Sequence, residues 1–348
     1  MLDDANILKQ RDPNSALEIA RVQYQQVSYQ VDLQNVEHDN RLIKNIVVTG
    51  MGGSALAALF VKSWLKSELV VPFEIVRTYD LPNYVGQDTL VIVSSYSGNT
   101  EETLSCLEQA ESKGAQVAII TSGGKLIDHA NNNQTTFALL PDGMQPRMAV
   151  IYNLRALVAL LANFKIVSAG KLDEITEKAE WLRGESAKWT SEIATNENYA
   201  KQLALQAVGK TAVFYGGSLI APLAYKWKIS FNENAKNIAF WNELPEFNHN
   251  EFIGWTSHPV EKPFAVFDII SSFENPRVLK RFEVSDRLLS GFRPKSTVIN
   301  LAGESVIGQM LWGCILSDFV SIYVAILNNV NPMPVQLIEK LKQELAEN

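Results

Sequence analysis

The sequence predicts an α/β fold with two domains, each a mainly parallel sheet flanked by helices, followed by a C-terminal helical tail. Short apolar runs suited to buried strands alternate with stretches of helical length, and this alternation is typical of parallel sheets. The pattern occurs twice, on either side of a purely helical stretch. A chain of 348 residues, of which 47% are hydrophobic, is long enough to bury two cores.

The first half of the chain begins with polar helix and continues with regularly spaced strands. Residues 1–40 are interpreted as an N-terminal helical segment, and residues 41–150 as the first domain. A glycine-rich turn at 50–54 leads into an alanine-rich helix. The strands of this domain are expected at 46–49, 73–76, 89–94 and 116–121, with a fifth near 136–139.

The second half repeats this pattern after a helical connection. Residues 151–208 show helical periodicity without strand-like runs and are interpreted as an inter-domain segment. The second domain is placed at 209–303, where 211–218, 265–270 and 298–301 echo 46–54, 89–94 and 117–121. We interpret the echo as an internal duplication, although any two parallel α/β domains share such spacing.

Residues 304–348 are expected to form C-terminal helices. The stretch 305–327 is nearly apolar and about as long as a membrane span. Asp318 interrupts it, Gln309 and Ser317 add polarity, and no basic flank marks one side. We therefore expect a helix buried between domains or subunits, and no membrane span.

Charge and cysteine content restrict the classes of function. A net charge of −7 and a pI near 5.3 argue against nucleic-acid binding. Cys106 and Cys314 are far apart and outside any metal-like spacing, so both are expected in the core, with no disulfide and no metal site. The acidic N-terminus lacks the features of a signal peptide, which favours a cytoplasmic protein.

The stretch Ser-Ser-Tyr-Ser-Gly-Asn-Thr-Glu-Glu-Thr at 94–103 follows a buried strand and leads into a helix. Such a turn leaves backbone N–H groups free to bind a phosphate, and Ser95, Ser97 and Thr100 add hydroxyl donors. The alternative is an ordinary turn in which Ser97 or Thr100 caps the helix. Residues 271–273 replace this turn in the second copy, so we expect one working phosphate site and one degenerate copy.

The turn at 50–54 is interpreted as a second part of the phosphate site. Gly52 and Gly53 let the backbone approach a ligand, and Ser54 donates a hydrogen bond. The turn lacks the G-x-G-x-x-G spacing of dinucleotide-binding folds, although Glu74 lies about where a ribose partner would. No nicotinamide cofactor is therefore expected.

Residues 231–251 hold the densest group of carboxylates, amides and imidazole in the chain. A carboxylate can accept a carbon-bound proton, and an imidazole with a near-neutral pKa can move protons between oxygens. His249 is the strongest single candidate because asparagines flank it and no apolar pattern buries it. The carboxylates are Glu233, Glu243, Glu246 and Glu251, each of which could instead be a solvated or capping residue, and His38, His129 and His258 are interpreted as surface residues.

Five motifs together resemble the bifunctional phosphoglucose/phosphomannose isomerases, which carry tandem sugar-isomerase (SIS) domains. The resemblance covers roughly residues 40 to 345. The serine-rich turn marks only a sugar-phosphate-binding domain, whereas the last two motifs are specific to the subfamily. The motifs are Gly-Met-Gly-Gly-Ser at 50–54, the turn at 94–103, Pro146-Arg147, Asn-Glu-Asn-Ala-Lys at 232–236 and Asn-His-Asn-Glu at 248–251.

The resemblance implies a role for each candidate residue. Glu233 would be the base that moves a proton between C2 and C1, and Arg147 would lie beside the developing enediolate, unless it is an ordinary surface arginine. His249, reaching in from the other subunit of a homodimer, would assist ring opening. Phosphate binding would fall to Ser54, Ser95, Ser97 and Thr100.

The C-terminal tail is expected to complete the site. The family supplies a lysine there that helps ring opening, preceded seven residues earlier by a threonine. Lys340 fits that lysine, with Lys342 as a rival, but Met333 stands in place of the threonine. A thioether cannot donate a hydrogen bond to a sugar hydroxyl, which puts the mannose-phosphate activity in doubt.

The resemblance thus implies an aldose–ketose isomerase that interconverts glucose 6-phosphate and fructose 6-phosphate through an enediol. Whether mannose 6-phosphate is also a substrate is left open by Met333, and neither a metal nor a cofactor is needed. The alternative is a non-catalytic sugar-phosphate sensor of the same fold. A sensor would need a DNA-binding or partner domain, for which residues 1–40 are too short and too acidic.

Overall fold

The computed structural model describes residues 1–257 and 263–346, and their contacts form two compact units. The first unit comprises Gln23–Leu182 and Glu304–Leu311. The second unit comprises Met1–Val22, Arg183–Gly303 and Trp312–Asn348. The domain limits expected from the sequence stay a prediction, and His258, which we expected at the surface, lies outside the described residues.

Strands and helices alternate along most of the described chain. The strands are β1 (Asp32–Gln34), β2 (Asn45–Thr49), β3 (Phe73–Val76), β4 (Thr89–Ser94), β5 (Gln116–Thr121), β6 (Thr136–Leu139), β7 (Thr211–Gly217), β8 (Ala239–Leu244), β9 (Phe264–Ile270) and β10 (Thr297–Asn300). The helices are α1 (Ala5–Arg11), α2 (Ala16–Val22), α3 (Gly52–Trp64), α4 (Glu101–Ser112), α5 (Gly124–Asn132), α6 (Val150–Asn163), α7 (Gly170–Thr176), α8 (Ala179–Ala187), α9 (Tyr199–Ala207), α10 (Ala221–Glu233), α11 (Glu251–Gly254), α12 (Pro276–Leu288), α13 (Val306–Leu327) and α14 (Gln336–Ala346). Short 3-10 turns occur at Gln23–Ser28, Pro146–Met148, Glu246–His249 and Trp255–Ser257.

The first sheet has the strand order β1-β6-β5-β4-β2-β3 and is parallel except for β1. All six residues of β4 are buried, as expected for a central strand covered by helices on both faces. The five strands expected in this half of the chain are confirmed. Cys106, on α4, packs into the core of this sheet, so its expected burial is confirmed as well.

The interpretation of residues 1–40 as a helical segment holds only as far as Ser28. Two short helices and a 3-10 turn end at Ser28, and β1 then pairs antiparallel with β6, Leu33 opposite Ala138. β1 has only three residues, with exposed side chains on either side of a partly buried one. So short a strand is held by its ladder hydrogen bonds rather than by an apolar run, and its sequence carries no strand pattern.

The second sheet is entirely parallel, with the order β10-β9-β7-β8. This order reproduces β5-β4-β2-β3 of the first sheet, with β7 in the place of β2 and β9 in the place of β4. The echoes at 211–218, 265–270 and 298–301 fall on the matching strands, which supports the duplication. We did not expect β8, because its exposed and partly buried positions follow no apolar run.

Helix α13 contains the apolar stretch of the C-terminal region. By length and composition it could span a membrane, yet 94% of its most apolar window is buried within the protein. Its polar residues Gln309, Ser317 and Asp318 are also at most 1% exposed, and Cys314 is buried beside them. The expected buried helix is confirmed, and the polar side chains on it require partners inside the protein.

Candidate functional site

Two turns lie side by side at the carboxyl edge of the first sheet. β2 and β4 are neighbouring parallel strands, with Thr49 opposite Val93. A Cβ atom added at Gly50 would lie 2.9 Å from the backbone oxygen of Ser94, so the turns after the two strands are in contact. α3 begins after the first turn and α4 after the second. Both helix N-termini therefore start from this edge, where their N–H groups favour an anion.

The turn between β4 and α4 holds its hydroxyl groups in a defined arrangement. The Ser95 and Thr100 hydroxyl oxygens lie 2.7 Å apart, and Ser95 is buried while Ser97 is exposed. Gly98 has a φ of +69°, and a Cβ there would lie 1.8 Å from the carbonyl oxygen of Gly123. Only glycine fits at this position, because any side chain would displace the neighbouring backbone.

No side chain of the described residues caps the N-terminus of α4. Thr100 occupies the N-cap position, but its hydroxyl makes no capping hydrogen bond to the helix. The alternative in which Ser97 or Thr100 caps the helix is therefore wrong. Met51 is the N-cap residue of α3, and it likewise makes no side-chain cap. In α3 the backbone N–H of Ser54 already donates to the carbonyl oxygen of Met51 at 3.0 Å, so the donors that remain for a ligand or water are those of the first two residues of α3 and of the first turn of α4.

Gly53 brings the start of α3 against the segment that carries Arg147. A Cβ at Gly53 would lie 2.5 Å from the carbonyl oxygen of Pro146, a separation that only glycine permits. Arg147 is 1% exposed and its Nη1 donates to Gln145 at 3.1 Å, so its interpretation as a surface arginine is wrong. Ser54 is also buried here, and Gly52 has a φ of +50°.

The equivalent turns of the second sheet contain a carboxylate of the protein itself. Glu274 lies in the turn between β9 and α12, and its Oε2 accepts a hydrogen bond from the backbone N–H of Leu219 at 2.9 Å. Leu219 precedes α10, so the carboxylate lies at the N-terminus of that helix. Glu274 also crowds Gly217, where a Cβ would lie 2.1 Å from Oε2. An internal carboxylate at a helix N-terminus supplies the negative charge that a phosphate would bring, in agreement with a degenerate second copy.

Glu233 is the last residue of α10 and lines a cavity of about 580 Å³ in the second unit. The cavity is completed by the C-terminal segment that includes Val330, Asn331 and 334–338. Lys236 joins the two sides, because its Nζ donates to the carbonyl oxygens of Glu233 at 2.8 Å and Pro332 at 2.9 Å. Lys236 thus bridges the tail and the backbone of the residue that carries the expected base.

His249 lies at the opposite edge of the second sheet from Glu233. Asn232, next to Glu233, accepts a hydrogen bond from the N–H of Ala239 at the start of β8. His249 follows the end of β8 and is exposed. β8 has six residues, which corresponds to about 20 Å at the usual rise of a strand. A single chain therefore does not bring His249 and Glu233 together.

The 3-10 turn that presents His249 is fixed to α12. Asn248 donates to the Ser285 hydroxyl at 2.8 Å and accepts from Arg281 at 3.2 Å. Glu251, two residues after His249, accepts hydrogen bonds from Tyr215 and, at 2.7 Å, from Asn242. These hydrogen bonds indicate a structural role for Glu251, whereas the side chain of His249 is exposed to solvent.

The remaining candidates are dispersed. Lys340 is exposed on α14 and pairs with Glu344 at 3.5 Å, and Lys342 is exposed on the same helix. Met333 is partly buried, and the described residues that line the Glu233 cavity do not include it or Lys340. His38 and His129 are half-buried, His38 beside the carbonyl oxygen of Asn163 and His129 beside the carboxylate of Glu111. The pKa of Glu243 is raised by burial and by the nearby carboxylates of Glu246 and Glu274.

Sequence reasoning missed two groups that shape these sites. Glu274 belongs to no recognisable motif. Its carboxylate reaches the N-terminus of α10 only because the turns after β7 and β9 are adjacent in the fold. The second group connects Lys226 on α10 to Asp318 on α13 through a buried 2.6 Å ion pair. The sequence did indicate this pair, because Asp318 is an acidic residue in the middle of an apolar helix and therefore requires a buried partner.

Two family models match the chain. One is the SIS domain, over residues 42–154, and the other is the bacterial phospho-glucose isomerase C-terminal SIS domain, over residues 196–345. Together they account for both sheets, so the prediction of two SIS-type domains is confirmed.

The chain is also similar to proteins with curated names. The bifunctional phosphoglucose/phosphomannose isomerase of Caldicellulosiruptor bescii is 35% identical over 88% of this chain and 90% of that protein. The one from Aquifex aeolicus is 32% identical over 91% of this chain and 95% of that protein. A glucose-6-phosphate isomerase like protein from Thermus thermophilus shares the fold, with a TM-score of 0.67 at 16% identity over 98% of both chains.

Proposed function

This chain belongs to the family of bifunctional phosphoglucose/phosphomannose isomerases, and on that basis we propose that it interconverts glucose 6-phosphate and fructose 6-phosphate. We include mannose 6-phosphate in the proposal because the relatives carry both activities in their names. The observation that carries the proposal is the identity above 30% over about nine tenths of each chain. The alternative of a non-catalytic sensor finds no support among these relatives.

The phosphate of the substrate would bind at the carboxyl edge of the first sheet. The uncapped N-termini of α3 and α4 provide backbone donors, and Ser54, Ser95, Ser97 and Thr100 provide hydroxyl groups. Gly52 and Gly53 allow the ligand to approach the backbone of the first turn. Binding energy from the phosphate, which does not react, would hold the sugar in the reacting geometry.

The proton transfer would fall to Glu233. Abstraction of a proton α to a carbonyl requires a carboxylate held near the carbon, and the same group can return the proton to the neighbouring carbon. The negative charge that develops on the enediolate oxygens would be stabilised by the guanidinium of Arg147. The step balances when the C2 proton moves to C1 and the hydroxyl proton on O2 moves to O1, or in reverse, so that neither an external oxidant nor a reductant is needed.

A homodimer would supply the imidazole. Glu233 and His249 of one chain lie at opposite edges of the second sheet, so an assembly that uses both at one substrate needs His249 of the partner chain. We assign His249 to ring opening, in which a proton must move between the ring oxygen and the C1 hydroxyl. Lys340 on α14 is assigned to the same step, and we place the enzyme in the cytoplasm.

Conversion of fructose 6-phosphate by the purified, EDTA-treated protein tests the proposed function. We expect glucose 6-phosphate as a product, and mannose 6-phosphate measured in the same reaction tests the second activity. Glucose 6-phosphate alone would support a selective effect of Met333. If neither product forms at any enzyme concentration, the chain is not an isomerase of these sugars and the sensor hypothesis gains support.

A further inference from the structure

A buried polar network joins α10 to α13 in the second unit. Lys226 is fully buried, and its Nζ donates to Asp318 at 2.6 Å and to Ser230 at 2.8 Å. The Ser230 hydroxyl donates in turn to Asp318 at 2.8 Å. Asn234 extends the network by one turn, since its Nδ2 donates to Ser321 at 2.9 Å. Each of these five residues is at most 1% exposed, so solvent does not screen the network.

The two helices approach closely along the same stretch. A Cβ at Gly313 on α13 would lie 2.5 Å from a methyl carbon of Leu223, so the Leu223 side chain of α10 packs directly against the backbone of α13 at this glycine. Trp227 donates its indole N–H to the carbonyl oxygen of Gly313 at 3.1 Å. From Leu223 to Asn234, α10 is therefore fixed to α13 over three turns, and Glu233 lies at the end of this fixed stretch.

Stability alone does not account for such a network. Removing two charges from water costs several kcal/mol, and apolar residues of similar volume usually replace a buried ion pair without loss of stability. Ion pairs and shared hydrogen bonds nevertheless fix the orientation of two helices and their register along each other more strictly than apolar contacts do. Such a network is useful when a neighbouring side chain must be held in a single position.

We propose that the Lys226–Asp318 network is a positioning device for Glu233, and this proposal rests on the proposed function. Asn234, the neighbour of Glu233, is tied to Ser321 on α13, and Lys236 ties the carbonyl of Glu233 to the tail. Ser230, three residues before Glu233, and Asn234, directly after it, are thus both hydrogen-bonded to α13. The network side chains are at most 1% exposed and are not among the described residues that line the Glu233 cavity, so we expect them to act on the rate only through the position of the carboxylate.

The test replaces the charges by apolar groups without opening a cavity. The double variant Lys226→Met with Asp318→Leu should keep the fold and the unfolding temperature of the unaltered protein. A carboxylate displaced by about 1 Å loses roughly 10- to 100-fold in rate, so we expect kcat for fructose 6-phosphate to fall by that factor. KM should change less than about 3-fold, because the phosphate contacts belong to the first sheet.

A matched control and a milder variant complete the experiment. Lys201 is another fully buried lysine of the second unit, and its Nζ donates to Asp3 at 2.9 Å and to the carbonyl oxygens of Ser191 and Ile193 at 2.9 and 2.7 Å. Lys201→Met should lower the unfolding temperature and leave kcat of the folded protein unchanged. Asn234→Ala removes the hydrogen bonds to Ser321 and Asp318 and leaves Ser321 bonded to the Asp318 carbonyl. This variant tests the positioning role if the double variant does not fold. It should lower kcat about 10-fold without changing the unfolding temperature appreciably.

Three results would overturn the proposal in distinguishable ways. A double variant with the kcat of the unaltered protein would show that the network is dispensable for catalysis, while the proposed function would stand. The same conclusion follows if kcat falls only in step with the folded fraction, as measured by circular dichroism on the same samples, or if Asn234→Ala keeps full activity. If the unaltered protein converts no fructose 6-phosphate, the proposed function fails first and the positioning role with it.

Discussion

Asp268 is a buried acid of the second unit whose ionisation the fold opposes. It lies on β9, is 4% exposed, and has the guanidinium of Arg293 at 4.0 Å, beyond hydrogen-bond distance. Burial raises the pKa of Asp268 to about 6, and Arg293 offsets only part of this effect. The folded protein therefore binds a proton at a pH where the unfolded chain has already released it.

The consequence is a stability that falls as the pH rises from about 4 to 6. Since the folded pKa is raised, the stabilising contribution is complete below the unfolded pKa and is lost as pH rises through the folded pKa. Two pKa units correspond to about 3 kcal/mol. We expect urea denaturation to show that the free energy of unfolding of the unaltered protein decreases by that order between pH 4 and pH 6. The same change of pH should have a smaller effect on Asp268→Asn, which lacks the titrating group. An identical pH dependence in the two proteins would contradict the raised pKa.

Among single residues, the sequence predicted site residues where a recognisable chemistry stands in a local pattern. Ser95 and Thr100 were predicted because hydroxyls follow a buried strand, and Glu233 because amides and a family motif surround it. Glu274 and Lys226 were not found as functional residues, because their effects depend on a partner that lies at least 50 residues away in the chain. Composition and spacing are local, whereas buried pairing is a property of the fold.

At the scale of elements, the turn between β4 and α4 is the feature that we assign to phosphate binding. It presents two hydroxyls 2.7 Å apart and an uncapped helix N-terminus. Its geometry depends on the close approach of Gly98 to Gly123. An element of this kind should affect how tightly the substrate is held and not which bond reacts.

Removal of the two hydroxyls tests that assignment. Ser95→Ala combined with Thr100→Ala should raise KM for fructose 6-phosphate by roughly 10-fold or more, because each hydrogen bond to a charged group contributes about 1.5–3 kcal/mol. The effect on kcat should be smaller. Ser112→Ala, at the other end of the same helix, removes a hydroxyl bonded to Gln109 and serves as the control with unchanged KM. An unchanged KM in the double variant would remove the turn from the phosphate site.

The strands show which elements a sequence pattern can reveal. β2, β4, β5 and β9 are mostly buried apolar runs, and all of them were expected from the sequence. β1 and β8 were not, because each is an outermost strand of its sheet with exposed or polar positions. Such strands are held by backbone hydrogen bonds to one neighbouring strand, and these bonds do not require a pattern of apolar residues in the sequence.

At the scale of the whole molecule, we propose different roles for the two copies of the α/β unit. The first sheet keeps open helix N-termini, whereas Glu274 fills the corresponding place in the second. The second unit supplies the carboxylate and imidazole candidates instead. Because Glu233 and His249 lie at opposite edges of one sheet, the proposed chemistry requires two chains.

Mixing two inactive variants tests the requirement for a dimer. Glu233→Gln and His249→Ala should each have little activity as pure proteins. When the two are unfolded together and refolded, half of the dimers are mixed, and each mixed dimer has one site with both natural residues. We expect recovery of about a quarter of the natural activity. Recovery no greater than the sum of the two variants would mean that His249 serves the site of its own chain or none.

The central claim is that Glu233 is the base of an isomerase, and the kinetics of Glu233→Gln test it most directly. Glutamine keeps the size of the side chain but cannot accept the proton. We expect kcat for fructose 6-phosphate to fall by roughly 10²- to 10⁴-fold. The affinity for sorbitol 6-phosphate, in which the carbonyl is reduced, should stay within about 3-fold. A Glu233→Gln protein that keeps near-normal kcat would contradict the account.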